Sequence, residues 1–105
     1  MVKIKSEISK TIDKYIKLLN ENNIEINRAY LFGSYSNGKY KEWSDIDLAL
    51  ISDKFSGDNF DDRSMIRKIT IAVDCRLEPH TFRSSDFNES NPFAREIINT
   101  GIRIL

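Results

Sequence analysis

The chain has 105 residues, a length typical of one domain with one hydrophobic core, and we expect residues 1–105 to form a single domain. Sixteen basic and sixteen acidic residues balance, so the composition does not favour electrostatic binding of bulk nucleic acid. The single cysteine, Cys75, cannot form an internal disulfide, and the first 20 residues contain no apolar signal or membrane-spanning stretch. The expected location is therefore the cytoplasm, away from membranes.

The amino-terminal part of the chain predicts a helix, a strand and a polar loop. Residues 3–21 have the spacing of an amphipathic helix, with apolar residues at three-residue and four-residue intervals: Ile4, Ile8, Ile12, Tyr15, Ile16 and Leu19. Residues 27–32 are rich in aromatic and apolar side chains and predict a short strand. Gly33 and Ser34 end this strand. The polar stretch 34–44 predicts a loop with room for one short helical turn.

The following part alternates strands with a helix. Residues 45–51 alternate apolar and other side chains, which predicts a strand with one buried face. Residues 60–68 predict a short helix that carries aspartates near its positive end. Residues 69–78 alternate again and predict a second strand, with some of this run belonging to the end of the helix, and Pro79 would end the strand.

The carboxyl-terminal part predicts a helix and an edge strand. Pro92 is a favourable first residue for a helix, and Gly101 is a favourable stop. Residues 102–105 are mostly apolar and predict a short strand at an edge of the sheet.

Two short motifs have residues suited to binding a phosphate and a metal ion. A glycine directly after a strand, such as Gly33, lets backbone N–H groups approach an anion, and the Ser34 hydroxyl adds a donor. Asp45 and Asp47 point to the same side of a strand with Cα atoms about 6–7 Å apart. Mg²⁺ prefers one or two carboxylates together with substrate phosphates. Ser44 is either a further contact to the nucleotide or a turn residue that enters the strand.

A third acid would complete this arrangement, and Asp74 is the first candidate. It interrupts the apolar alternation of the predicted strand 69–78, where it could bind a second metal ion or accept a proton. The structural alternative is a surface acid paired with Arg76 or Lys68. Glu78 remains open as the third acid. His80 is expected to be ordinary polar surface, and Cys75 a small core residue.

The combined motif resembles the signature of the DNA polymerase β nucleotidyltransferase superfamily, in its minimal branch. It has three parts, in this order: Gly33-Ser34, Gly38 and Ser44-Asp45-Ile46-Asp47. The predicted order of helices and strands resembles that family over almost the whole chain. The resemblance implies an α+β fold in which helices flank a small mixed sheet.

The resemblance also implies an activity, a cofactor and a partner. Members transfer a nucleoside monophosphate from a triphosphate, here expected to be AMP from ATP with Mg²⁺. Asp45, Asp47 and Asp74 would be the catalytic and metal-binding residues, while Gly33 and Ser34 would bind phosphate. Many minimal members resemble one half of a toxin–antitoxin pair and modify a hydroxyl of a helical HEPN-type protein.

Two other functions are compatible with the sequence. The small size also suits a binding module that neutralises a helical partner by covering its surface. A transferase acting on an aminoglycoside-type antibiotic is the third possibility, although this chain lacks the extra helical domain with which such relatives hold their acceptor.

Overall fold

The computed structural model describes residues 4–105, which form four helices and a four-stranded mixed sheet. The elements follow in this order: α1 (Ser6–Glu21), β1 (Arg28–Phe32), α2 (Ser34–Asn37), β2 (Ile46–Ile51), α3 (Asn59–Val73), β3 (Leu77–Phe82), α4 (Pro92–Thr100) and β4 (Ile102–Arg103). This confirms the predicted α+β class. Within residues 4–105, none of the helices is both long enough and apolar enough to cross a bilayer.

The sheet has the order β3-β2-β1-β4. Strand β1 is antiparallel to both of its neighbours, and β2 is parallel to β3. Asp47 on β2 therefore has Phe32 of β1 as its neighbour on one side and Glu78 of β3 on the other. The predicted edge strand near the carboxyl terminus is confirmed as β4.

Helix α1 covers one face of the sheet, as its apolar spacing predicts. Ile8, Ile12, Tyr15 and Leu19 are buried. The helix begins at Ser6, and the predicted start at residue 3 lies outside the described residues. The amphipathic pattern thus identified the packing face correctly.

A buried hydrogen bond joins α1 to α3. The Thr70 hydroxyl donates to the Ile66 carbonyl at 3.0 Å, so it accepts from the Tyr15 hydroxyl at 2.6 Å. Burial raises the pKa of Tyr15 to about 12. The neutral phenol is therefore strongly favoured in the folded protein.

Strand β2 is buried on both faces, whereas its sequence predicted only one buried face. All of its residues except Asp47 are buried. Ala49 and Ile51 pack with Phe87, Ala94 and Ile97, residues of α4 and of the loop before it. The prediction was wrong because the short carboxyl-terminal helix covers the second face.

The strand predicted within residues 69–78 begins later than expected, because most of this run belongs to the helix or to the turn after it. Helix α3 continues to Val73, and β3 begins only at Leu77. The apolar residues at alternate positions resemble a strand, but only Ile69 and Val73 pack partly against the core. Ile71 is 59% exposed on the helix. Cys75, expected in the core, is exposed in the turn between α3 and β3.

Pro79 lies inside β3 and does not end it. The carbonyls of Arg76 and Phe82 accept hydrogen bonds from Ile46 and Ser52, at 2.8 and 3.0 Å. In a parallel ladder the alternate residues face the partner strand, so the Pro79 nitrogen faces the free edge. Proline is therefore tolerated here, because β2 loses no hydrogen bond.

Buried Asp62 fixes the loop before α3. Its Oδ1 accepts from the Ser56 N–H at 2.7 Å and from the Ser56 hydroxyl at 2.9 Å, and its Oδ2 accepts from the Gly57 N–H at 3.0 Å. These donors compensate for burying a carboxylate.

Candidate functional site

The fold places acidic side chains on one face of the sheet, where β2 begins. Asp47 and Glu78 are paired in the parallel register of β2 and β3, so their side chains point to the same side. Asp45 precedes β2 by one residue, shares that side by alternation, and is exposed. The predicted pair of aspartates is therefore joined by Glu78.

The pKa of Asp47 reflects these neighbours. Partial burial raises the pKa above its ordinary value, a hydrogen bond from His80 opposes the rise, and the negative charges of Asp45 and Glu78 add to it. Like charges in close proximity destabilise one another in the absence of a cation. This side of the sheet has the electrostatic character of a cation site.

Gly33 allows the Asp47 carboxylate to lie directly against the turn after β1. Its φ of +74° and ψ of −147° belong to a conformation that residues with side chains rarely adopt. A Cβ at this position would clash with Asp47 Oδ2 and would lie 3.2 Å from its Cγ. The glycine of one motif is thus in contact with the aspartate of the other.

The turn that follows Gly33 is a short helix, α2, as the sequence allowed. Ser34 is its first residue, and the Gly33 carbonyl accepts from the Ser36 N–H at 3.0 Å and from the Ser36 hydroxyl at 2.9 Å. Gly38 ends α2 in the left-handed conformation. Gly33 therefore lies against Asp47, and Ser34 follows it at the start of α2; that the two residues bind phosphate stays a prediction.

Ser44 closes a turn before β2. Its hydroxyl accepts from the Lys41 N–H at 2.7 Å, and its own N–H donates to the Lys41 carbonyl at 3.0 Å. Ser44 is therefore a turn residue, and its O–H remains able to donate to a ligand, so its nucleotide contact stays a prediction.

Asp74 is not on the strand beside β2, so the placement expected from the sequence was wrong. It caps the carboxyl end of α3. Its Oδ1 accepts from the Arg76 N–H at 2.8 Å and from Nε at 3.1 Å, while its Oδ2 accepts from Nη2 at 2.8 Å. These bonds to Arg76 lower the pKa of Asp74. Both carboxylate oxygens are engaged, which is the structural alternative considered above.

Glu78 occupies the strand position at which Asp74 was expected. Its Oε1 forms an ion pair with Arg63 Nη2 of α3 at 2.5 Å, across the free edge of the sheet. The two side chains are 39% and 44% exposed, so such a pair contributes little to stability. Glu78 is thus free to exchange this partner for another.

His80 is a residue that sequence reasoning assigned to ordinary surface. Its Nε2 lies 3.3 Å from Asp47 Oδ1, and an ionised carboxylate can only accept, so the imidazole donates. Its ring makes edge contacts with Phe32 and Phe93, with ring centroids 4.9 and 5.7 Å apart. The missed signal was its position two residues after Glu78, on the same strand face.

The donor set fits a magnesium ion that takes part of its shell from substrate. Among residues 4–105, no group of three or more histidine, cysteine or acidic side chains is close enough to enclose a metal ion. Mg²⁺ commonly takes only one or two carboxylates, with water and phosphate oxygens as its other ligands. Asp45 and Asp47 match that requirement.

Comparison with known proteins identifies the family. The profile of the family described as Polymerase beta, Nucleotidyltransferase matches residues 3–105. The chain belongs to this family of nucleotidyltransferases, and the expectation drawn from the Gly-Ser and Asp-x-Asp motifs is confirmed.

Several proteins are similar to this chain. It is 32% identical over 89 residues to the protein adenylyltransferase MntA of Shewanella oneidensis, across 85% of this chain. The chain spans 60% of the length of that relative. A toxin–antitoxin structure with AMP-PNP aligns with a TM-score of 0.62 and 26% identity, covering 92% of this chain and 72% of that one.

A second solved structure is a mutant of the toxin–antitoxin MntA-HpeT. It aligns with a TM-score of 0.59 and 25% identity, over 89% of this chain and 71% of that one.

Proposed function

We propose that this chain transfers AMP from ATP, with Mg²⁺, to a hydroxyl of a partner protein in the cytoplasm. The partner would be a helical HEPN-type toxin, which the modification silences. The observation that carries the proposal is Asp47, held beside Asp45 and against the Gly33 turn. The similarity to an adenylyltransferase and to toxin–antitoxin structures, one of them with AMP-PNP, supports this choice.

Each residue of the site would have a defined task. Asp45 and Asp47 would hold Mg²⁺, which when bound neutralises triphosphate oxygens. The backbone N–H groups after Gly33 and the Ser34 hydroxyl would orient phosphates. The acceptor oxygen bonds to the α-phosphorus as the bond to pyrophosphate breaks, and a carboxylate takes the hydroxyl proton.

We propose that Glu78, and not Asp74, takes this proton. Glu78 shares a sheet face with Asp47, whereas both Asp74 oxygens bind Arg76. Glu78→Gln should lower the transfer rate at least about a hundredfold. Asp74→Asn should lower the free energy of unfolding and leave the transfer rate nearly unchanged. A large loss of transfer in Asp74→Asn together with normal transfer in Glu78→Gln would reverse the assignment.

The activity itself can be tested with ATP labelled at the α-phosphate. The purified chain, MgCl₂ and the protein encoded beside it are incubated, and label on that protein is measured. Asp45→Asn and Asp47→Asn should abolish labelling without unfolding the chain. Asp53→Asn, an exposed aspartate just after β2, is the matched control and should label normally. Normal labelling by both site variants would refute the proposal.

A non-catalytic binding module is the second candidate, because two of the similar structures are toxin–antitoxin assemblies. In that case the chain would neutralise its partner by covering it. Asp45→Asn and Asp47→Asn would then still protect cells that express the partner. Loss of protection in both variants, with the fold intact, would favour catalysis.

A further inference from the structure

A groove of about 620 Å³ runs between α3 and the free edge of β3. We propose that this α3–β3 groove binds the segment of the acceptor protein that carries the hydroxyl, and that this segment contains acidic and apolar side chains. The inference rests on the proposed function, since it names where the acceptor lies and what chemistry it has.

The groove has apolar walls that are open to solvent. Phe60 is 80% exposed and Ile71 is 59% exposed, and both line the groove. Eleven residues are about three helical turns, so the two side chains lie on one stripe of α3. Buried Leu77 and Pro79 of β3 form the opposite wall. Large exposed apolar side chains beside a groove are typical of a binding surface.

The charge of the groove favours an acidic segment. Arg63 and Arg67 lie one turn apart on α3 and both line the groove, together with one acid, Glu78. Arg63 pairs with Glu78, whereas Arg67 forms no ion pair within the part of the chain that the structure describes. The groove therefore has a positive balance, which complementary carboxylates on the partner would offset.

One residue, Glu78, belongs to both the groove and the candidate site. It lines the groove and also faces the side of the sheet that carries Asp47. A segment bound along α3 would therefore bring its hydroxyl to the carboxylate that we propose takes the proton. Arg63, which now bonds Glu78, could turn to a carboxylate of that segment.

The backbone of β3 indicates that side chains, and not an added strand, make the binding contacts. At the free edge, Pro79 has no N–H, and the Leu77 N–H already donates to the Asp74 carbonyl at 3.2 Å. Only Thr81 keeps an outward N–H along β3, which is too few for a ladder with another strand.

Two short synthetic peptides test the proposal. Both carry a tyrosine and leucines, and they differ only in having glutamates or lysines at the remaining positions. Fluorescence anisotropy without ATP measures their binding to the full chain. The acidic peptide should bind at least about tenfold more tightly than the basic one. Equal affinities, or no binding of either peptide at about 1 mM, would overturn the proposal.

Substitutions locate the binding. Arg67→Glu and Ile71→Ser should each weaken the acidic peptide at least about fivefold, and both residues are exposed, so folding should persist. Lys68→Glu and Met65→Ser are exposed positions of α3 outside the groove and should change binding less than about twofold. If the groove substitutions and the control substitutions weaken binding equally, the peptide binds elsewhere.

AMP transfer to the partner protein distinguishes a failure of the proposed groove from a failure of the proposed function. Arg67→Glu should raise the KM for the partner more than it lowers kcat, while nucleotide binding stays unchanged. An unchanged KM would overturn the groove as the acceptor site. If the wild type binds the acidic peptide selectively but transfers no AMP, the proposed function is wrong, and the groove remains a docking site for acidic segments.

Discussion

Gly33→Ala tests the contact between the turn after β1 and Asp47. Gly33 has φ +74° and ψ −147°, a conformation that costs a residue with a side chain about 1–3 kcal/mol. The new Cβ would meet Asp47 Oδ2, so the carboxylate must rotate away from the turn. Rotation breaks its bond to His80, which contributes about 1 kcal/mol. We expect a total loss of about 2–4 kcal/mol in the free energy of unfolding.

The same rotation should impair activity more than it impairs folding. Displacing a catalytic group by about 1 Å can cost about a hundredfold in rate, because the reacting groups are no longer aligned. We therefore expect Gly33→Ala to lower AMP transfer about a hundredfold at temperatures where the protein is folded.

Gly38→Ala is the matched control. Gly38 also has a positive φ, +79°, but a Cβ there would meet nothing within 4 Å. It should cost about 1 kcal/mol of stability and leave transfer nearly unchanged. Urea unfolding and α-phosphate labelling measure the two effects. If both variants lose the same stability and retain transfer, the proposed contact between Gly33 and Asp47 has no functional importance.

Substitutions at three further positions test other contacts. Because the pKa of Tyr15 is about 12 in the fold against 10.0 in the unfolded chain, stability present below pH 10 should fall by about 2 kcal/mol as the pH rises to 12. Urea unfolding on both sides of pH 10 should show this fall in the wild type and not in Tyr15→Phe. Asp62→Ala leaves the donors of the loop before α3 unpaired and should cost about 2–4 kcal/mol in thermal unfolding; a cost below about 0.5 kcal/mol would mean that water replaces the carboxylate. His80→Ala should lower transfer about tenfold by freeing Asp47, and His80→Gln, which keeps an N–H donor, should restore most of it; equal losses would contradict the hydrogen-bond role.

Local sequence patterns were sufficient to predict α1 and to locate the two motifs of the candidate site. The spacing of apolar residues predicted α1 and its buried face, because a helical period is a property of neighbouring residues. Likewise, Gly33-Ser34 and Asp45-x-Asp47 are recognisable because each motif acts through residues close together in the chain. That these two motifs lie in contact agrees with what their combination suggested.

The sequence by itself determined the fold class and the Asp45–Asp47 pair, whereas the tertiary structure decided which acid joins them. That choice depends on where α3 ends, and the alternation at 69–73 does not distinguish a strand from a partly exposed helix. Packing of Ile66 and Thr70 in the core carries the helix to Val73, which moves the next strand to Leu77–Phe82. The parallel register then brings Glu78 and His80, and not Asp74, to the side of Asp47. Such a register is set by contacts between residues about 30 positions apart. The spacing of neighbouring residues in the sequence therefore does not predict it.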